Sequence, residues 1–248
     1  EEEISDFIAG SGFQAWWLMG NIEGWGGPVP DRWPDRQERL CRRVLARMRS
    51  LGMEPVLPGY CGMLPRSFAG KPGYDASDTG LWAAYHRPAF LSPSSDRFAS
   101  VAALYYAEQE KIMGRSHFYS MDPFHEGGNI EGTDIPEAYK TIQAQLRRHT
   151  PDAVWVLQGW NENPRTEALE ALKHGDCIVL DLFSEARPRW RDGYCGHDMI
   201  WCMLHNFGGR TGMHGRLSKV MDGWFDAVEA FPETMVGIGA TPEGIGTN

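Results

Sequence analysis

The chain is 248 residues long, with a formal charge of −9 and a mean hydropathy of −0.42. That length allows one large α/β domain with a substantial core, and the acidic balance, with no Lys/Arg-rich stripe carrying interleaved aromatics, argues against nucleic acid as a partner. No run of about 18 or more apolar residues is present, so no membrane insertion is expected.

In chain order, Phe13 to Met19 reads either as a strand or as a wall of loop. Residues 35–51 read as a helix: Leu40, Val44, Met48 and Leu51 recur at i, i+4, i+8 and i+11 and predict its buried face, the arginines lie mostly opposite, and Gly52 supplies the stop. Residues 54–58 follow as a short buried strand. Residues 65–93, rich in Gly, Ser, Asp and Pro, form a long surface excursion expected to overhang the site. Residues 96–114 are a helix leading into the strand run that ends at Glu126. Then come a helix at 136–149, a strand at 153–158, a helix near 165–173 and a strand at 177–181. A strand at 199–204, a helix at 217–230 and a last strand starting at Met235 complete the pattern.

Strands alternating with amphipathic helices give a parallel sheet with crossover helices. Six strands are counted where a closed barrel needs eight. The expected fold is therefore an incomplete (β/α)8 TIM-type barrel, residues 1–248 forming part of it, with the first one or two strands upstream of residue 1. An open doubly wound sheet is the alternative, although no G-x-G-x-x-G or Walker-type loop follows any strand.

Two glutamates end apolar runs beside glycine: Glu126 in His117-Phe118-Tyr119-Ser120-Met121-Asp122-Pro123-Phe124-His125-Glu126-Gly127-Gly128, and Glu243 in Met235-Val236-Gly237-Ile238-Gly239-Ala240-Thr241-Pro242-Glu243-Gly244. Carboxylates at the ends of parallel strands face the substrate in α/β enzymes, and glycoside hydrolysis commonly uses a pair of them; ordinary loop carboxylates are the other reading. The remaining strand ends contribute Tyr60, Cys61, Asp122, His125, Gln158, Trp160, Asn161, Glu162, Asp181, Ser184, Glu185, His205 and Asn206. This set of carboxylates, amides, imidazoles and indoles, with hardly a cation, suits a neutral polyhydroxylated ligand. Of the ten tryptophans, Trp16, Trp17, Trp25 and Trp82 fall in loops where they could stack on sugar, whereas Trp155 and Trp201 lie mid-strand and read as packing residues.

Other chemistries fit less well. His125-Glu126 and His205 lack the H-x-x-x-H or H-x-H spacing of a metal site, so no metal and no cofactor is expected. No G-x-S-x-G elbow is present, and Cys61 reads as a small loop thiol. The five cysteines are scattered without a C-x-x-C pair, against a disulfide framework or zinc knuckle. The Glu1-Glu2-Glu3-Ile4 start is no signal peptide, and no N-x-S/T sequon occurs.

Several segments resemble the α-N-acetylglucosaminidases of glycoside hydrolase family 89. They are Trp16-Trp17-Leu18-Met19-Gly20-Asn21 through Gly26-Gly27-Pro28, Met48-Arg49-Ser50-Leu51-Gly52-Met53-Glu54-Pro55-Val56-Leu57-Pro58, Leu157-Gln158-Gly159-Trp160, Leu180-Asp181-Leu182-Phe183, Trp201-Cys202-Met203-Leu204-His205-Asn206-Phe207-Gly208-Gly209 and Pro242-Glu243-Gly244-Ile245. The resemblance implies a (β/α)8 catalytic domain releasing terminal α-linked N-acetylglucosamine with retention, from heparan sulfate or from mucin-type glycans. It places Glu126 at the general acid/base and Glu243 at the nucleophile. Trp16, Asn21 and Trp160 fall at pocket-lining positions; His205, Asn206 and Trp82 are counted with them as substrate-binding candidates. It also implies an amino-terminal domain and a helical carboxy-terminal domain outside residues 1–248; the lack of a sequon fits a bacterial product, expected to be secreted, periplasmic or at the cell surface. Two rivals stay open: a carbohydrate-binding relative without catalysis, and an enzyme for another α-glycoside.

Overall fold

The structure, a computed structural model, describes residues 31–82, 85–124, 131–205 and 216–242. The first helix, α1 (Arg32–Ser50), ends in a Schellman arrangement around Gly52, whose φ is 75°. The Met53 amide donates to Met48 O at 3.1 Å and the Gly52 amide to Arg49 O at 3.0 Å, as the sequence stop predicts. The buried face differs from the expected one. Leu45 is 7% exposed, with Cys41 and Met48 packed beside it, while Leu40 and Val44 are 51% and 47% exposed. The cause is the docking of α1 against α2 (Phe98–Met113): Arg42 donates to Lys111 O, and Arg49 to Met113 O and Arg115 O. Those carbonyls lie in the last turn of α2 and just past it and attract cations, so the arginines fix the rotation of α1 about its own axis.

Among the described residues six strands form one parallel sheet: β1 (Val56–Pro58), β7 (Phe118–Ser120), β8 (Val154–Gly159), β9 (Cys177–Asp181), β10 (Asp198–Met203) and β11 (Met235–Ala240). Their spatial order is β1-β7-β8-β9-β10-β11, every pair parallel. Strand order follows chain order without reversal. A doubly wound sheet reverses direction at its switch point and a (β/α) barrel does not, so the topology is barrel-type. Among the described residues the outer edges of β1 and β11 have no neighbouring strand, and Val56, Val236 and Ile238 are exposed there.

The crossover helices α2, α3 (Ile135–His149), α4 (Thr166–Ala171) and α5 (Leu217–Ala230) cover the sheet. α3 starts as its sequence dictates: Asp134 caps it by accepting from the Glu137 amide at 3.0 Å, with Pro136 in the first turn. Its buried Tyr139 stacks on Trp155 of β8, ring centroids 4.8 Å apart, and Trp155 itself is fully enclosed. Tyr106 of α2 stacks on His149 at 4.8 Å and meets Tyr119 of β7 edge-on. At the opposite end of the strands, Glu54 accepts from Ser116 Oγ at 2.6 Å and from the His117 amide at 3.1 Å, joining the starts of β1 and β7. No described helix is long and apolar enough to cross a membrane.

The excursion at 65–93 is more ordered than its composition suggests. β2 (Met63–Leu64), β3 (Ala76–Asp78) and β6 (Ala89–Leu91) pair antiparallel in the order β2-β6-β3, and β4 (Leu81–Trp82) pairs with β5 (Tyr85–His86). All of β6 is buried, and Phe90 meets Phe124, just after β7, at 5.6 Å edge to face. The segment is anchored in the core through β6.

Candidate active site

Parallel strands send all their carboxy-terminal ends to one face, so the residues after β1, β7, β8, β9, β10 and β11 share it. The described part of this face is bound together by side-chain-to-backbone hydrogen bonds between neighbouring strand ends. Trp155 Nε1, from within β8, donates to Met121 O at 2.8 Å, and Asn163 Nδ2, past the end of β8, donates to Phe124 O at 3.3 Å, so β8 and the turn after it hold the end of β7. The Leu204 amide at the end of β10 donates to both carboxylate oxygens of Glu185 at 3.2 Å. Thr241 Oγ1, just past β11, lies 3.0 Å from Leu182 O and 3.2 Å from Met203 O.

After β8 the chain reverses tightly. The Trp160 amide donates to Asn163 O at 3.0 Å, the Asn163 amide to Trp160 O at 2.9 Å, Asn161 takes φ 50° and the Asn163–Pro164 bond is cis. This turn presents half-buried Trp160 beside Phe183 from the end of β9, ring centroids 6.2 Å apart. His205 follows directly on the anchored Leu204 and is half-buried. Trp82 lies in the β4–β5 hairpin. Glu126, Glu243, Asn206, Trp16 and Asn21 lie outside the described residues. Their approaches are described up to Phe124, Pro242 and His205, at the ends of β7, β11 and β10.

Three strand-end groups expected to face the ligand are engaged with the protein instead. Asp181 is 0% exposed; its Oδ2 accepts from the Arg189 amide at 2.9 Å and the Trp190 amide at 2.7 Å. Burial raises its pKa, against the lowering effect of those amides. Ser184 Oγ donates to Asp181 O at 2.9 Å, and Glu185 is buried against Leu204. They hold the loop after β9. The Cys202 thiol is pushed up to about 12 by burial, and Cys61 is enclosed in the core, so neither has the character of an activated nucleophile. Among the described residues no group of three His, Cys, Asp or Glu could hold a metal ion.

The part Asn163 and Thr241 play in joining strand ends was not legible in the sequence. The Asn163-Pro164 and Thr241-Pro242 pairs signal turns, but only the fold shows which carbonyls their side chains reach.

The family model described as the alpha-N-acetylglucosaminidase (NAGLU) tim-barrel domain matches residues 1–248. Human alpha-N-acetylglucosaminidase is 36% identical over 267 residues, covering 100% of this chain. The chain belongs to the α-N-acetylglucosaminidases of glycoside hydrolase family 89. The family 89 glycoside hydrolase of Clostridium perfringens in complex with PUGNAc has a TM-score of 0.86 and 42% identity over 94% of this chain. A double-glutamine variant of the same enzyme, in complex with its substrate GlcNAc-alpha-1,4-galactose, has a TM-score of 0.87 and 41% identity over 95% of this chain. The (β/α)8-type barrel read from the strand pattern is the family's barrel. The chain spans 36% of the length of the human relative and 27% and 28% of the two bacterial chains.

Proposed function

We propose that the protein carrying this chain is a retaining exo-glycosidase that releases terminal α-linked N-acetylglucosamine, with Glu126 as acid/base and Glu243 as nucleophile. The observation that carries the reading comes from the relative bound to GlcNAc-alpha-1,4-galactose. The two glutamates replaced by glutamine in that variant are separated along its chain by one residue more than separate Glu126 from Glu243. Both glutamates here follow strand ends of one parallel sheet, at β7 and β11, whose last described residues are hydrogen-bonded to neighbouring loops.

In the first step a Glu243 carboxylate oxygen bonds to the anomeric carbon as the bond to the glycosidic oxygen breaks, and that oxygen takes the proton of Glu126. In the second, Glu126 removes a proton from water, whose oxygen bonds to the anomeric carbon and releases the Glu243 carboxylate. The carboxyl groups of such a pair stand about 5 to 5.5 Å apart. Trp16, Asn21, Trp82, Trp160, His205 and Asn206 are assigned to holding the sugar, the indoles by stacking on its C–H faces and the polar groups by hydrogen bonds to its hydroxyl and acetamido groups. Direct attack by the 2-acetamido group is set aside, because in an α-linked sugar it lies on the wrong side for backside displacement.

The test is hydrolysis of an aryl α-N-acetylglucosaminide by the full-length protein and its Glu126→Gln and Glu243→Gln variants, followed by proton NMR. The α-anomer released first, with Glu243→Gln inactive and Glu126→Gln inactive on substrates that need acid assistance, is the expected result. β-Anomer first means inversion. A protein that binds the sugar without turnover is a lectin-like relative, and inhibition by glucose as strongly as by N-acetylglucosamine points to another α-glycoside.

A further inference from the structure

Asp122 lies at the carboxy-terminal end of β7, four residues before Glu126, and is 2% exposed. Its Oδ1 accepts from the Gln158 backbone amide at 3.5 Å, the Gln158 side chain also lies close enough to favour the charged form, and its Oδ2 has no hydrogen-bond partner among the described residues. No described cation pairs with it. A buried carboxylate ordinarily needs a cation or several amide donors; among the described residues Asp122 has no cation and only Gln158 to donate. The segment around it is held at successive points: Met121 O by Trp155 Nε1, Phe124 O by Asn163 Nδ2, and the Phe124 ring by Phe90. Pro123 between them fixes its own φ.

We propose that Asp122 is a positioning residue for the acid/base, an uncharged carboxyl group that seats the end of β7 against β8 and thereby sets where the chain leaves toward Glu126. The inference rests on the assignment of Glu126 as the acid. The groups facing Asp122 are Gln158 of β8, whose hydrogen bonds favour the charged form, and Tyr139 of α3, which senses a charge at Asp122. Burial outweighs Gln158 and raises the Asp122 pKa well above its ordinary value. The Tyr139 hydroxyl is itself buried and shifted upward, so it brings no charge of its own.

The experiment compares Asp122→Asn and Asp122→Ala in the full-length protein on two substrates. One is GlcNAc-α-1,4-galactose, whose leaving oxygen needs a proton; the other is an aryl glycoside whose activated leaving group does not. Asparagine preserves the shape of an uncharged carboxyl group, so Asp122→Asn should stay within about threefold of the parent on both. Asp122→Ala should lose about 100-fold in kcat on the disaccharide and far less in the rate of glycosyl-enzyme formation from the aryl substrate, because a displaced acid harms only the step it assists. If Asp122→Asn falls as far as Asp122→Ala, the group works as a carboxylate and the proposal is overturned. Equal losses on the two substrates, with a lowered unfolding midpoint, reduce Asp122 to a structural residue and also overturn it. Where the alanine variant does not fold, Asp122→Ser takes its place with the same expected split. Glu126→Gln is run alongside: if it shows no leaving-group dependence, the acid assignment itself has failed, a result distinct from failure of Asp122.

Discussion

The Thr241 hydroxyl reaches Leu182 O at 3.0 Å, so the end of β11 is fastened to the loop that follows β9, across β10. The same oxygen is 3.2 Å from Met203 O, and the Thr241 amide donates to that carbonyl at 2.8 Å. Two residues further on is Glu243.

Replacing Thr241 with valine keeps its volume and removes the hydroxyl. The expected cost is about 1 kcal/mol of stability, read as a lower urea midpoint. If the fastening places the nucleophile, the variant also forms the glycosyl-enzyme more slowly on activated aryl substrates, while Thr241→Ser, which keeps the hydroxyl, does not. Parent-like rates in the valine variant would remove Thr241 from any role in placing Glu243.

The Asp122 carboxyl makes a separate prediction about stability and pH. Its folded-state pKa is raised, so the folded state binds this proton more tightly than the unfolded chain. Stability from this group is fully present below the unfolded value of about 3.9 and is lost as pH rises through the folded pKa. Asp122→Asn cannot lose a proton, so the variant should gain stability relative to the parent from about pH 4 upward, the gap levelling off above the folded pKa. Asp181, also shifted upward by burial, is common to both proteins and cancels. Unfolding curves across pH check this; a pH-independent gap would mean that the carboxyl group titrates normally.

Gly159 ends β8 and precedes Trp160. A Cβ there would stand 2.6 Å from the Tyr194 hydroxyl and 2.8 Å from Leu180 O, the second a backbone atom of the neighbouring strand. Gly159→Ala should therefore destabilise by about 1 to 3 kcal/mol. It should also shift the turn that carries Trp160, raising KM for the sugar more than it lowers kcat. Denaturation and steady-state kinetics on one preparation test both parts, and a variant as stable as the parent would show that β9 yields at this point.

The sheet was readable from the chain because its signals are local and repeated. The strand at Cys177–Asp181 and the helix at Leu217–Ala230 have the bounds their hydrophobic patterns predict. The rotation of α1 was not, since Leu40, Val44 and Leu51 make as good a helical stripe as Cys41, Leu45 and Met48. What separates them is the reach of Arg42 and Arg49 to the end of α2, a tertiary fact. The excursion's strands span two or three residues each, too short to show a period. At the site, the strand-end residues could be listed from sequence. Whether a carboxylate such as Asp181 turns to the ligand or to the amides of Arg189 and Trp190 depends on how its loop folds back.

In the side-chain contacts that join the strand ends, one partner contributes a side chain and the other only its main chain. Asn163 must remain a donor for Phe124 O, and Thr241 for Leu182 O, yet neither bond asks anything of the side chains of Phe124 or Leu182. Such bonds prescribe where a loop runs without prescribing how it is spelled. Residues beside the reacting groups can thus be exchanged, by drift or by design, to recognise a different leaving sugar while the path of the chain around the mouth stays the same.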